Sequence, residues 1–184
     1  MKGGGNTVMD IENKRKEILF TREEIQRRVK ELGIQISKDY KDKKLLIISL
    51  LKGSFIFTAD LVREISIPLK IEFMTTSSYG HSQESTGKVQ VLYDIKGDLK
   101  GYDVLIADDI ADTGITMDFV INYLKSKNPN SVKSCVLLDK PSRRRVELEA
   151  DYVGFTIPDK FIVGYGLNYG DYYRNLPYVF AFVD

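Results

Sequence analysis

One cysteine, one histidine and no long apolar run set the first limits on this chain of 184 residues. Cys135 alone excludes an internal disulfide and any metal site built from several cysteines. His81 alone excludes the His-pair zinc motifs and leaves a Ser-His-Asp triad only one residue to draw on as its base. No apolar stretch approaches the ~18 residues that a membrane-spanning helix needs. The N-terminus lacks the apolar segment of a signal peptide. Neither G-x-x-x-x-G-K-[ST] nor G-x-G-x-x-G occurs, and Gly164-Tyr165-Gly166 lacks the third glycine at the required spacing. Excess charge is missing as well: 27 Lys+Arg stand against 26 Asp+Glu, a net charge of +1. Non-specific nucleic-acid or membrane-surface binding wants a strongly basic face, so neither partner is expected.

What is present describes a folded, reduced, cytoplasmic protein. The composition, 43% hydrophobic and 29% charged, lies in the globular range. A chain of this length suits one domain and can bury about 70% of its unfolded surface without a staple. The glycine-rich opening Lys2-Gly3-Gly4-Gly5-Asn6 reads as a flexible lead-in, which gives residues 1–10 as lead-in and 11–184 as the domain.

Thr21-Arg22-Glu23-Glu24 is a capping-box pattern that opens a helix with Ile25, Val29, Leu32 and Ile36 on one face. Leu45 to Leu51 is a continuous apolar run, as in a strand buried on both faces. Lys52-Gly53-Ser54 then turns into a second helix, expected to face inward with Phe55, Ala59 and Val62. Lys70 to Thr75 and Lys88 to Asp94 alternate like strands and flank a long polar loop, Thr76 to Gly87, which contains His81. Further strands are expected at Val104–Ala107, Val132–Leu138, Tyr152–Phe155 and Phe161–Val163. A helix carrying Met117, Val120, Ile121 and Leu124 ends before Asn128-Pro129. Buried strands alternating with amphipathic helices predict an α/β domain with a largely parallel sheet. Ligands bind such sheets at the carboxyl ends of the strands, which points to Leu51-Lys52-Gly53, Asp108 to Thr116 and Asp139-Lys140.

Asp108-Asp109-Ile110-Ala111-Asp112-Thr113-Gly114-Ile115-Thr116 carries the most chemistry. Three carboxylates cluster at a strand end, just before Thr-Gly-x-Thr at a helix N-terminus. Free backbone N–H groups and the positive end of the helix dipole favour a phosphate there. Carboxylates beside a phosphate repel it unless they hold a metal or accept hydrogen bonds from sugar hydroxyls. A phosphorylated sugar with Mg²⁺ satisfies both halves.

That segment resembles the phosphoribosyl-pyrophosphate (PRPP) loop of the type I phosphoribosyltransferases. The similarity runs from about Ile11 to Val183. Leu51-Lys52-Gly53, Ser77-Ser78-Tyr79-Gly80, Leu138-Asp139-Lys140-Pro141, Val163-Gly164-Tyr165-Gly166 and Tyr173-Arg174-Asn175-Leu176-Pro177 match the bacterial hypoxanthine phosphoribosyltransferases. The resemblance implies a single-domain type I fold with a central, mostly parallel sheet flanked by helices and a small hood formed by terminal segments. It implies purine salvage: transfer of phosphoribosyl from PRPP to hypoxanthine or guanine, giving IMP or GMP and pyrophosphate, with Mg²⁺, in a homodimer or homotetramer.

Residue by residue, the resemblance places Thr113, Gly114, Ile115 and Thr116 on the 5-phosphate, and Asp108 and Asp109 on the ribose and metal side. Asp112 becomes the general base at purine N7. Lys52, Gly53, Ser78, Tyr79 and Arg174 bind pyrophosphate, with a cis peptide expected at Leu51-Lys52. Lys140 donates to the purine O6, Phe161 stacks on the ring, and the Ile162 backbone meets the Watson–Crick edge. A PRPP-binding regulator of RNA or DNA would carry the same loop, but it needs a basic face or an added module. Xanthine or orotate as the accepting base is a further alternative.

Two positions depart from the family pattern. Asp108-Asp109 stands where Glu-Asp is usual, one methylene shorter in reach. Asn168 stands where an Asp associated with a second Mg²⁺ is usual. Asn keeps a carbonyl oxygen but loses the charge, which weakens the hold on a hard cation.

Overall fold

Thr21 closes both halves of its capping box: Glu24 N donates to Thr21 Oγ1 at 3.3 Å, and Thr21 N donates to Glu24 Oε2 at 2.8 Å. Helix α1 (Arg22–Asp39) follows and buries Ile25, Val29, Leu32 and Ile36. Each such burial contributes roughly 1.5–3 kcal/mol. The computed structural model describes residues 14–78 and 89–183. The expected lead-in at 1–10, Tyr79, His81 and most of the long polar loop lie outside them.

Six strands form the central sheet: β2 (Leu45–Leu51), β3 (Leu69–Ser78), β4 (Val89–Tyr93), β5 (Asp103–Ala111), β6 (Ser131–Asp139) and β7 (Tyr152–Thr156), in the order β4-β3-β2-β5-β6-β7. All neighbours are parallel except β3 and β4. β2 and β5 sit centrally; β2 is almost wholly buried, as is the apolar stretch Val104–Ala107 of β5. Helices α2 (Phe55–Glu64) and α3 (Ile115–Lys125) complete the crossovers. One core lies between the sheet and α1/α2, including Ile47, Phe57, Leu61 and Leu105. A second lies under α3, including Ile48, Ile106, Val120 and Leu124. Cys135 is buried and free in β6. The second layer is a small antiparallel sheet, β1 (Lys16–Phe20), β9 (Val179–Phe182) and β8 (Ile162–Val163), in the order β1-β9-β8. It is the hood built from terminal segments.

Two details differ from the reading of the sequence. Helix α2 faces inward with Phe57, Thr58 and Leu61, and the expected Val62 packs against the same core, while Phe55 is 45% exposed and Ala59 lies on the outside. A buried hydroxyl cluster accounts for the rotation. Ser49 Oγ lies 2.8 Å from both Ser54 Oγ and Thr58 Oγ1, and Ser54 Oγ donates to Leu50 O at 2.6 Å. Buried hydroxyls need partners, so these polar residues, and not Phe55, turn toward the sheet. Strand β5 also runs on through both aspartates to Ala111, so Asp108 and Asp109 are strand residues.

Candidate active site

The carboxyl ends of β2, β5 and β6 bring the marked segments together. Beyond β5, Gly114 caps α3 with φ +82°, a left-handed conformation that suits glycine, and no side chain caps the helix. Ile115 N reaches Thr113 Oγ1 only at 3.5 Å, so the first turn of α3 still offers N–H groups to a ligand. A cleft of about 140 Å³ opens there, lined by Asp108, Ile110, Ala111, Asp112, Thr113, Gly114, Thr116 and Met117. Ile115 heads the helix beside it.

Asp108 and Asp109 are half-buried next to this cleft. Asp109 N donates to Asp108 Oδ1 and Ile110 N donates to Asp109 Oδ1, each at 2.9 Å. Burial first, then the Asp109 charge, pushes Asp108 well above the usual carboxylate range. Burial also raises Asp109, opposed by its hydrogen bonds and by the Arg174 charge. Such a pair favours a cation. Among the described residues, however, no group of three or more His, Cys, Asp or Glu could hold a metal. The donor set fits a divalent ion that takes most of its ligands from substrate oxygens.

The turn after β2 presses directly on this pair. The Leu51-Lys52 peptide is cis, as the resemblance implies. A Cβ on Gly53 would fall 1.7 Å from Asp109 Oδ2, and one on Gly166 would fall 2.0 Å from Gly53 O. Arg174 Nη1 donates to Gly166 O at 2.6 Å. Gly53, Asp109, Gly166 and Arg174 thus occupy one corner, with Lys52 exposed at its rim. Ser78 ends β3. The Asn168 Nδ2 donates to Gly170 O, which leaves only its amide oxygen as a possible ligand atom.

The residues expected to meet the base lie beyond β6. Lys140 is 6% exposed; its Nζ donates to Lys160 O at 2.6 Å and lies 3.7 Å from Asp159 Oδ1. Phe161 is 59% exposed, stacked on Phe182 at 6.2 Å and edge-on to Tyr169 at 5.8 Å. A ring this open is not core; it offers a face to a planar ligand. Ile162 begins β8, an edge strand among the described residues, whose backbone groups on the side away from β9 pair with none of their strands. Asp112 is half-buried, and Arg143 Nε donates to its Oδ1 at 3.2 Å. Arg143 Nη1 reaches Asp159 at 3.4 Å.

Sequence reasoning missed the segment behind the turn between β5 and α3. Arg143-Arg144-Arg145 reads as a solvated or subunit-contact run, yet Arg144 is largely buried and pairs with Asp139. The available signal was position: the run directly follows the carboxyl end of β6, where ligands bind.

The phosphoribosyl transferase domain family matches residues 17–170. The hypoxanthine-guanine phosphoribosyltransferase of Aquifex aeolicus is 47% identical over 178 residues, spanning 96% of this chain and 100% of its own. That of Staphylococcus aureus is 48% identical over 169 residues, spanning 92% and 94%. A crystal structure of a hypoxanthine phosphoribosyltransferase from Staphylococcus aureus superposes with a TM-score of 0.89 at 47% identity, covering 98% of this chain and 97% of that one. A hypoxanthine phosphoribosyltransferase from Trypanosoma cruzi gives a TM-score of 0.86 at 42% identity, covering 94% and 97%. The chain therefore belongs to the phosphoribosyltransferase family, in the group of the hypoxanthine-guanine phosphoribosyltransferases.

Proposed function

We propose that this chain salvages purines, transferring phosphoribosyl from PRPP to hypoxanthine and guanine to give IMP or GMP and pyrophosphate. One observation carries the reading. An uncapped helix N-terminus and a half-buried carboxylate pair at the end of β5 meet a buried lysine at the end of the adjacent β6.

The 5-phosphate sits against Thr113, Gly114, Ile115 and Thr116. Asp108 and Asp109 accept from the ribose hydroxyls, while Lys52, Gly53, Ser78, Tyr79 and Arg174 receive pyrophosphate. The purine rests on Phe161 with its edge along the Ile162 backbone, and Lys140 donates to O6. Adenine carries a donor at that position and meets a donor, so it is rejected. N9 attacks the anomeric carbon as pyrophosphate leaves, and the N7 proton passes to Asp112. Mg²⁺, when bound, neutralises pyrophosphate charge, with Asp108 and Asp109 on its protein side and Asn168 a weaker neighbour.

A cytoplasmic homodimer or homotetramer accompanies this reading. No helix among the described residues is long and apolar enough to cross a membrane. Exposed Ile71, Phe73, Leu92 and Tyr93 on β3 and β4 supply an apolar face for a second copy. Purified protein with PRPP, Mg²⁺ and hypoxanthine yields IMP and pyrophosphate. No nucleotide above background with either hypoxanthine or guanine overturns the proposal.

A further inference from the structure

We infer that Arg144, paired with Asp139, is a positioning residue that shapes the phosphate subsite from behind; this rests on the phosphate assignment proposed above. The Arg144 side chain is 13% exposed and Asp139 12%. Four of the guanidinium N–H groups are engaged. Nη1 donates to Ala111 O at 2.8 Å and to Asp112 O at 2.6 Å, Nε donates to Leu148 O at 3.1 Å, and Nη2 pairs with Asp139. The backbone of the same segment adds Lys140 N to Ala111 O and Arg145 N to Thr113 O, both at 2.9 Å.

The carbonyls of three successive residues, Ala111, Asp112 and Thr113, therefore turn toward 140–145. In a trans peptide the N–H points opposite to the carbonyl of the same plane. The N–H groups of Asp112, Thr113 and Gly114 consequently point away from Arg144. Phosphate binding at a loop and helix start depends on that orientation. Gly114 leaves room for the arrangement, since a Cβ there would stand 2.9 Å from Val146 Cγ2 and 3.0 Å from Arg144 Cδ.

The anchor of the pair lies beside the purine side. Asp139 ends β6 and is followed at once by Lys140, the purine-side lysine. Its carboxylate holds the guanidinium that fixes the backbone of Asp112. The chemistry calls for arginine: only a planar fork spans several acceptors, whereas lysine presents a compact point charge. Buried, the pair is costly to break on one side, because the remaining charge is left without a partner.

The test uses the full chain as Arg144→Lys, and as the double variant Arg144→Gln/Asp139→Asn, which removes the pair without stranding a charge. Ribose 5-phosphate serves as a non-reacting probe in calorimetric titration, beside steady-state kinetics and thermal melts. In both variants the ribose 5-phosphate Kd and the PRPP KM rise by about 10-fold or more. The KM for hypoxanthine at saturating PRPP stays within about twofold of the parent. Unchanged ribose 5-phosphate affinity in both variants overturns the inference. So does an equal loss in every parameter together with a fallen melting temperature, since that marks a purely structural role. If the parent chain itself neither binds ribose 5-phosphate nor makes IMP, the proposed function fails and this inference with it.

Discussion

The carboxylate assigned to take the purine proton begins 3.2 Å from the Arg143 guanidinium. Both partners are substantially exposed, 44% for Arg143 and 40% for Asp112, and such pairs are worth about 0–1 kcal/mol. Removing the partner and removing the base therefore have unequal consequences. Asp112→Asn lowers kcat by ~10²–10⁴ with little change in the PRPP KM, read by initial rates, whereas Arg143→Gln stays within about fivefold. Asp108 supplies a second contrast. Its charge is disfavoured by burial and by Asp109, so Asp108→Asn raises the melting temperature in metal-free buffer while lowering activity. The expected size is a few degrees, on a scale of about 2–4 °C per kcal/mol for this chain length. At position 168, Asn168→Asp lowers the Mg²⁺ concentration for half-maximal rate; superimposable Mg²⁺ titrations of the two proteins end that idea. Asp112 stood out as one of three carboxylates before Thr-Gly-x-Thr, and its role at N7 came with the resemblance. Arg143 was not, because an arginine in a basic run carries no mark of the carboxylate it will meet.

At the scale of elements, strands with unbroken apolar runs were read almost to the residue in β2, since burial on both faces leaves one solution. Helix α2 was read in the wrong rotation because Phe55 outweighs Ser54 and Thr58 on any hydropathy scale, while the hydrogen bonds to Ser49 decide the matter. Strands β1 and β9 are short, and their pairing joins Lys16 to Phe182, a contact no local pattern announces. The turns around the site are bound by contact as much as by conformation. Gly166 has φ +102°, and its Cβ position lies against the Gly53 carbonyl, a backbone atom that can yield only if the turn itself moves. Gly166→Ala therefore costs about 1–3 kcal/mol and displaces the Gly53 turn, seen as a lower melting temperature together with a raised PRPP KM.

For the whole molecule, alternating buried strands and amphipathic helices sufficed to predict the parallel sheet, and the strand-end rule pointed to the carboxyl ends of β2, β5 and β6, which the fold sets side by side. The hood over that sheet came only from the resemblance, because its strands come from distant parts of the chain. Near-equal counts of acidic and basic residues conceal the polarity that matters. Asp108, Asp109 and Asp112 gather on the β5 side, while Lys52, Lys140 and Arg174 stand at the β2, β6 and C-terminal sides. At the far edge of the sheet, Phe73→Glu combined with Leu92→Glu shifts the protein to monomer in light scattering if that apolar face joins two copies. The most direct measurement is the initial rate of nucleotide formation from PRPP and Mg²⁺ with hypoxanthine, guanine and adenine in parallel. IMP and GMP form readily and adenine gives no AMP above background, because Lys140 presents a donor to position 6. Adenine used as fast as hypoxanthine, or no nucleotide from any base, contradicts the account.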